Sequence, residues 1–189
     1  MENRSYFADF QALIPGKLTE IDKIIDSLVD CIKNEGTIWI IGNGGSASTA
    51  DHFEVDLSYV RLQDNSTSVK ARSLCLNSAL ITAIGNDIGF EKVFSHQLMR
   101  NASAGDICFA ISASGNSPNL IEAFKVCDKQ SVKKIALVGF DGGNLLKLAD
   151  QSILVESEIG IFGPVEDIHL SICHYIASVI RSRIFEVFK

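Results

Sequence analysis

The sequence predicts an α/β fold: a three-layer sandwich on a mostly parallel five-stranded sheet, with long helices towards both ends. Two observations predict it. Short β-rich runs at 37–41, 72–76, 107–111, 135–138 and 152–155 read as strands, and those that are continuously apolar suit a sheet buried on both faces. Segments with apolar residues at helical spacing are interspersed among them, and strands alternating with helices in this way specify a parallel sheet covered by helices. A chain of 189 residues is long enough to bury one core without disulfide or metal staples.

The elements follow in order. After a Pro15-Gly16 break, Leu18, Ile21, Ile25, Leu28, Val29 and Ile32 recur at helical spacing, which predicts an amphipathic helix over 18–32. The run Thr37-Ile38-Trp39-Ile40-Ile41 reads as a buried strand ended by glycines. Residues 46–59 contain no Gly or Pro and place Ala50, Phe53 and Leu57 on one stripe, a helix opened by small capping residues. Helical patterns follow over 90–99 and 120–127, and a final helix over 165–185 turns Ile168, Ile172, Ile176, Val179 and Ile180 inward. The polar stretch from Asp64 to Ser68 is brief, with the pattern continuing on both sides, and reads as a surface loop within one domain.

Composition narrows the function. With 17 basic and 23 acidic residues the formal charge is -6, which repels a polyanion and argues against nucleic-acid binding. No apolar run reaches the roughly 18 residues of a membrane span, and the first residues lack a signal-peptide core. The expectation is a cytoplasmic protein with no membrane partner. Cys31, Cys75, Cys108, Cys127 and Cys173 are scattered among apolar neighbours without a CxxC pair and read as reduced core thiols.

Ligands of an open parallel sheet bind beyond the carboxyl ends of its strands. The first such loop, Gly42-Asn43-Gly44-Gly45-Ser46, lets backbone approach a ligand and offers helix N–H groups to an anion. Gly42, Gly44 and Ala47 also satisfy a dinucleotide fingerprint, but that alternative needs an acid at the end of the second strand. There the chain reads Leu76-Asn77-Ser78, and Asp64 lies before the strand, so no nucleotide cofactor is expected. The second loop, Ser112-Ala113-Ser114-Gly115-Asn116-Ser117-Pro118, packs three serines into one turn. Ser117 reads as an N-cap with Pro118 at the first helical position. A capped turn needs only one of those serines, and the excess of donors forms a compact cradle for one phosphomonoester.

His52 and Asp56 are four apart on one helix and therefore neighbours on one face, the spacing of a two-ligand half-site or an acid–base pair. Glu166 and His174 lie eight apart on the last helix, roughly on one side. Two such half-sites suit a divalent metal such as zinc, while each half alone is equally a solvated helix contact or a satisfied core histidine.

The stretch from Ile40 to Ala47 with His52 beyond it, the stretch Thr82-Ala83-Ile84-Gly85-Asn86-Asp87, the serine loop through Asn119, and the region from Gly139 to Gly143 with the His174 helix together resemble the phosphoheptose isomerases of the SIS (sugar isomerase) superfamily. The likeness covers nearly the whole chain in order. It implies one SIS domain over 1–189, with the helical segment 1–35 used in oligomerisation, and a homotetramer with active sites at subunit interfaces. It further implies conversion of sedoheptulose 7-phosphate to D-glycero-D-manno-heptose 7-phosphate, a step towards lipopolysaccharide or capsule heptose.

Carried over by position, Asn43, Gly44, Gly45, Asn86 and Asp87 would touch the sugar, and Ser112, Ala113, Ser114 and Ser117 would hold the phosphate. His52 and His174 fall on the family's metal-binding histidines, with one metal per subunit. Two positions depart from the pattern: Asp56 stands where the family usually has glutamate, and Glu166 where it usually has glutamine. The resulting expectation is an aldose–ketose isomerase acting through a cis-enediol, with Asp56 as base, His174 as acid–base partner, and His52, Asp56, Glu166 and His174 around the metal. Its alternative is a non-catalytic SIS module that binds a sugar phosphate or a protein partner, as replication-initiator-associating members do.

Overall fold

The computed structural model describes residues 15–59 and 69–187. The expected loop from Asp64 to Ser68 and most of the segment before Leu18 lie outside them. The chain runs α1 (Leu18–Lys33), β1 (Thr37–Gly42), α2 (Gly45–Ser58), β2 (Lys70–Ser73), α3 (Ser78–Asp87), a 3-10 turn (Phe90–Lys92), α4 (Ser95–Asn101), β3 (Ile107–Ser112), α5 (Pro118–Gln130), β4 (Lys133–Phe140), α6 (Gly143–Leu148), β5 (Gln151–Glu156) and α7 (Phe162–Val187). All five strands are parallel, in the order β2-β1-β3-β4-β5. From β1 the chain crosses to β2 on one side, and β3 then starts on the other, so the crevice between the ends of β1 and β3 is the switch point where such sheets bind ligands.

Alternation along each strand divides the core into two layers. Ile107, Phe109 and Ile111 join Ile25, Leu28, Phe53, Ile168 and Ile172 from α1, α2 and α7. Cys108 and Ala110 face Leu98, Leu120, Phe124 and Leu145 from α4, α5 and α6. Burial on both faces explains why β3 has no polar position until Ser112. Cys31, Cys108, Cys127 and Cys173 are buried free thiols and Cys75 is half-buried. No helix of the described residues is long and apolar enough to cross a membrane.

Some boundaries differ from expectation. The second strand ends at Ser73 rather than Leu76, its last bond to β1 being from the Leu74 N–H to Ile40 O at 2.9 Å; on its outer edge the Ser73 N–H is taken by the Glu54 carboxylate, and the Ser73 hydroxyl donates to Asp51 Oδ1 at 2.6 Å. Leu76 then turns to solvent, 58% exposed. The expected helix over 90–99 is a 3-10 turn followed by α4, with Val93 and Phe94 both buried at the break. Two helices have no counterpart in the sequence reading. α3, capped by the Asn77 side chain accepting from the Leu80 N–H, buries only Ile84 and so shows no inward stripe. α6 is six residues long and starts on glycine.

His169 on α7 is fully buried, and neither ring nitrogen completes a hydrogen bond among the described residues. Burial lowers its pKa from 6.5 to about 4, opposed weakly by the backbone of Val138. Between those values the unfolded chain binds a proton that the folded chain does not. Stability from this group is therefore full above about pH 6.5 and falls as pH drops towards 4, by about 3 kcal/mol at ~1.4 kcal/mol per pH unit. Urea unfolding across that window is expected to show the slope in the parent protein and a shallower one in His169→Leu. Equal slopes would assign the acid sensitivity to another group.

Candidate active site

The two ligand loops meet at the switch point. β1 ends at Gly42, where a Cβ would press on the backbone of Ser46, and Gly44 opens α2 at φ 55°, ψ -123°, a backbone shape that suits glycine. On the other side, Ser112 Oγ accepts from the Gly115 N–H at 3.0 Å and Ser114 Oγ from the Asn116 N–H at 3.3 Å. Ser117 occupies the N-cap of α5 with Pro118 behind it, as expected, but its hydroxyl makes no capping bond. That leaves the hydroxyl available to a ligand.

Between the loops lies a cavity of about 130 Å³, lined by Asn43, Ser46, Ile111, Ser112, Ala113, Ser114, Ser117, Phe162 and Glu166. Since a water molecule occupies about 30 Å³, the cavity has room for a phosphoryl group. Among the described residues its lining holds hydroxyls and one carboxylate but no Lys or Arg. Glu166 lies over Gly45 so closely that a Cβ there would overlap its carboxylate. A side chain at this position would therefore displace the Glu166 carboxylate from its place here.

The second assembly lies further along α2 and α7. His52, Asp56 and His174 bring their ligand atoms within 4.8 Å of one another. The two Nε2 atoms are 3.1 Å apart, and Asp56 Oδ2 is 3.6 Å from that of His52 and 3.7 Å from that of His174. The imidazoles are about half exposed and Asp56 is 24% exposed, so the group opens to solvent and can hold a divalent cation. The neighbouring Cys173 is buried, and burial together with the charge of Asp56 raises its pKa and keeps it a thiol.

The structure brings together Asn43, the serine loop and Glu166 in one place, and His52, Asp56 and His174 in another. Glu166 is not part of the His–Asp–His group. Asn86 and Asp87 sit exposed at the end of α3, with Asn86 Nδ2 donating to Asp87 Oδ1 at 2.8 Å, and neither lines the cavity of its own chain. Four residues at the cavity carried no expected role. Ser46, Ile111 and Phe162 line it, and Asn119 pairs with Asn43. Ser46 and Asn119 lie within the motifs that carry the resemblance. Phe162 opens α7, three residues before the helix expected over 165–185.

The SIS domain family profile matches residues 5–139. The chain is 35% identical over 169 residues to the phosphoheptose isomerase of Laribacter hongkongensis, covering 89% of this chain and 84% of that protein. It belongs to the phosphoheptose isomerase family of SIS-domain proteins. The phosphoheptose isomerase of Sulfurimonas denitrificans is 37% identical with the same coverage. Among solved structures, the phosphoheptose isomerase of Neisseria gonorrhoeae superposes with a TM-score of 0.87 at 30% identity, over 95% of this chain and 94% of that one.

Proposed function

We propose that this chain is an aldose–ketose isomerase that converts sedoheptulose 7-phosphate to D-glycero-D-manno-heptose 7-phosphate through a cis-enediol. The observation that carries the reading is that α2 and α7 border the hydroxyl cradle through Ser46 and Glu166 and carry the His–Asp–His group two turns further along. Gly45, level with Glu166, precedes His52 by seven residues, and Glu166 precedes His174 by eight, a rise of about 10–12 Å. In an open-chain heptose 7-phosphate, seven or eight single bonds separate the reacting carbons from phosphorus, about 9–10 Å at roughly 1.3 Å gained per bond. A pentose 5-phosphate is two bonds shorter. That rise suits a seven-carbon chain running along α2 and α7 from the cradle to the His–Asp–His group.

Within that arrangement the residues divide the work. Asp56 directs Oδ2 towards both imidazoles, which leaves Oδ1 to take the C1 proton of the ketose and return it to C2. His174 exchanges the hydroxyl proton between the two oxygens. His52, Asp56 and His174 would hold a divalent ion, zinc by the donor set, since their separations bracket the roughly 3.3 Å edge of a tetrahedron with ligands about 2.0–2.1 Å from its centre. When bound, that ion supplies positive charge to the enediolate oxygens. Ser112, Ser114 and Ser117, with the start of α5, hold the phosphate.

Exposed Leu76, Leu80, Ile88 and Phe90 around α3, next to Asn86 and Asp87, support an interface between copies, which we read as that of a homotetramer of single SIS domains spanning 1–189, placed in the cytoplasm as a metabolic enzyme. In the tetramer these residues complete a neighbour's site and segment 1–35 joins the assembly. The test is solvent-deuterium exchange into heptose, hexose and pentose phosphates, with and without added zinc. Exchange into a heptose phosphate supports the reading. Stabilisation by sugar phosphates without exchange into any of them would leave a binding module instead.

Glu166 has its own expected signature. Its charge faces a cavity lined by no cation among the described residues, so Glu166→Gln is expected to tighten phosphate binding by roughly three- to tenfold. Metal content should stay at the parent level, because the residue is outside the His–Asp–His group. Thermal-shift titration with phosphate and elemental analysis read the two effects separately, and loss of metal would return Glu166 to the ligand set.

A further inference from the structure

We propose that Asn119 is a positioning residue, whose amide pairs reciprocally with that of Asn43 and holds the glycine loop against the serine loop. The cradle is thereby set before a phosphate arrives. The inference rests on the phosphate reading given above. Asn43 Nδ2 donates to Asn119 Oδ1 at 2.9 Å, and Asn119 Nδ2 donates to Asn43 Oδ1 at 2.8 Å, across 76 residues of chain. Beyond the strand pairing that ends at Gly42 and Ile111, this is the one hydrogen-bonded link between the two loops among the described residues.

The two loops are unequally held. The serine loop is braced from behind: Asn116 Oδ1 accepts from the backbone and the side chain of Asn144 at 3.0 and 2.9 Å, and Gly115 O accepts from the Leu145 N–H at 2.9 Å. The glycine loop is braced more lightly among the described residues, by the Cys75 thiol donating to Gly42 O at 3.4 Å. At Gly44 the backbone has a positive φ and a Cβ would meet nothing within 4 Å. Asn119 is only 2% exposed although it stands in the first turn of α5, and it does not line the cavity. Its side chain therefore acts on Asn43, which does line the cavity. The pairing uses one N–H and one oxygen lone pair of Asn43, leaving it a second N–H and a second lone pair to offer the ligand in a fixed direction.

The experiment measures the Kd for inorganic phosphate, and KM and kcat for the heptose phosphate, in the full chain well below the lowest melting temperature. The variants are Asn119→Leu, Asn43→Ala and the double variant. Asn119→Leu is expected to raise Kd and KM about tenfold, the scale of one unsatisfied buried amide, with kcat within about twofold because the His–Asp–His group is two turns away. The double variant is expected to be no weaker than Asn43→Ala alone, since Asn119 works through Asn43.

An Asn119→Leu protein that melts lower yet binds phosphate as the parent does would overturn the proposal, and so would losses that add in the double variant. If the leucine variant does not fold, Asn119→Ala makes the same comparison. A parent protein that binds no phosphate overturns the cradle reading itself and this role with it, a result separate from normal parent binding that Asn119 does not influence.

Discussion

Asp56→Asn is expected to lower solvent-deuterium exchange into the heptose phosphate by about 10³-fold, within the range that a positioned general base contributes. The amide has nearly the same shape as the carboxylate and fits beside the imidazoles 3.6 and 3.7 Å away, but it cannot take up a carbon-bound proton. The cradle lies two turns along the helix, so phosphate-dependent stabilisation should survive. Asp51→Asn is the control on the same helix, because Asp51 Oδ1 is occupied by the Ser73 hydroxyl at 2.6 Å and faces β2 rather than His174. It should keep exchange within a few-fold of the parent. Exchange in Asp56→Asn within tenfold of the parent would place the proton on another group.

Legibility in the sequence followed burial. β1, β3 and β4 were readable because strands covered on both faces are apolar throughout, as at Ile38, Ile40 and Ile41 or Ile135 to Val138. The error at β2 has the same origin: Leu74, Cys75 and Leu76 prolong an apolar run, although the last bond to β1 is from the Leu74 N–H to Ile40 O and the chain then leaves the sheet. α3 was missed because Leu80 and Ile88 at its ends face outwards, so no inward stripe was there to find.

The site divides similarly. His52 and Asp56 are neighbours by helical spacing alone, whereas their meeting with His174 depends on how α2 packs on α7. Glu166 was read as a fourth ligand because eight residues return to roughly the same side of a helix. That step also climbs about 12 Å, and here Glu166 lies over Gly45 at the cradle. Asn119 has its partner 76 positions away, which no local pattern can reveal.

Gly115→Ala is expected to lower stability by about 2–4 kcal/mol and to abolish phosphate-dependent stabilisation. Gly115 has φ 62°, and a Cβ there would run into the carbonyl of Gly142 and the nitrogen of Gly143. The left-handed conformation costs a residue other than glycine roughly 1–2 kcal/mol, and forcing a methyl into packed backbone adds about 1–3 kcal/mol. Relief requires the serine loop to lift from the 141–144 turn, breaking the bond from the Leu145 N–H to Gly115 O and displacing the Ser112 hydroxyl that accepts from the Gly115 N–H. Gly105→Ala separates strain from collision, because Gly105 has φ 93° with nothing within 4 Å of a Cβ. It should cost only about 1–2 kcal/mol and leave the phosphate response intact. Thermal melts with and without phosphate decide the matter. A Gly115→Ala protein that still gains the parent's phosphate-dependent stability would mean that the serines do not depend on this contact for their placement.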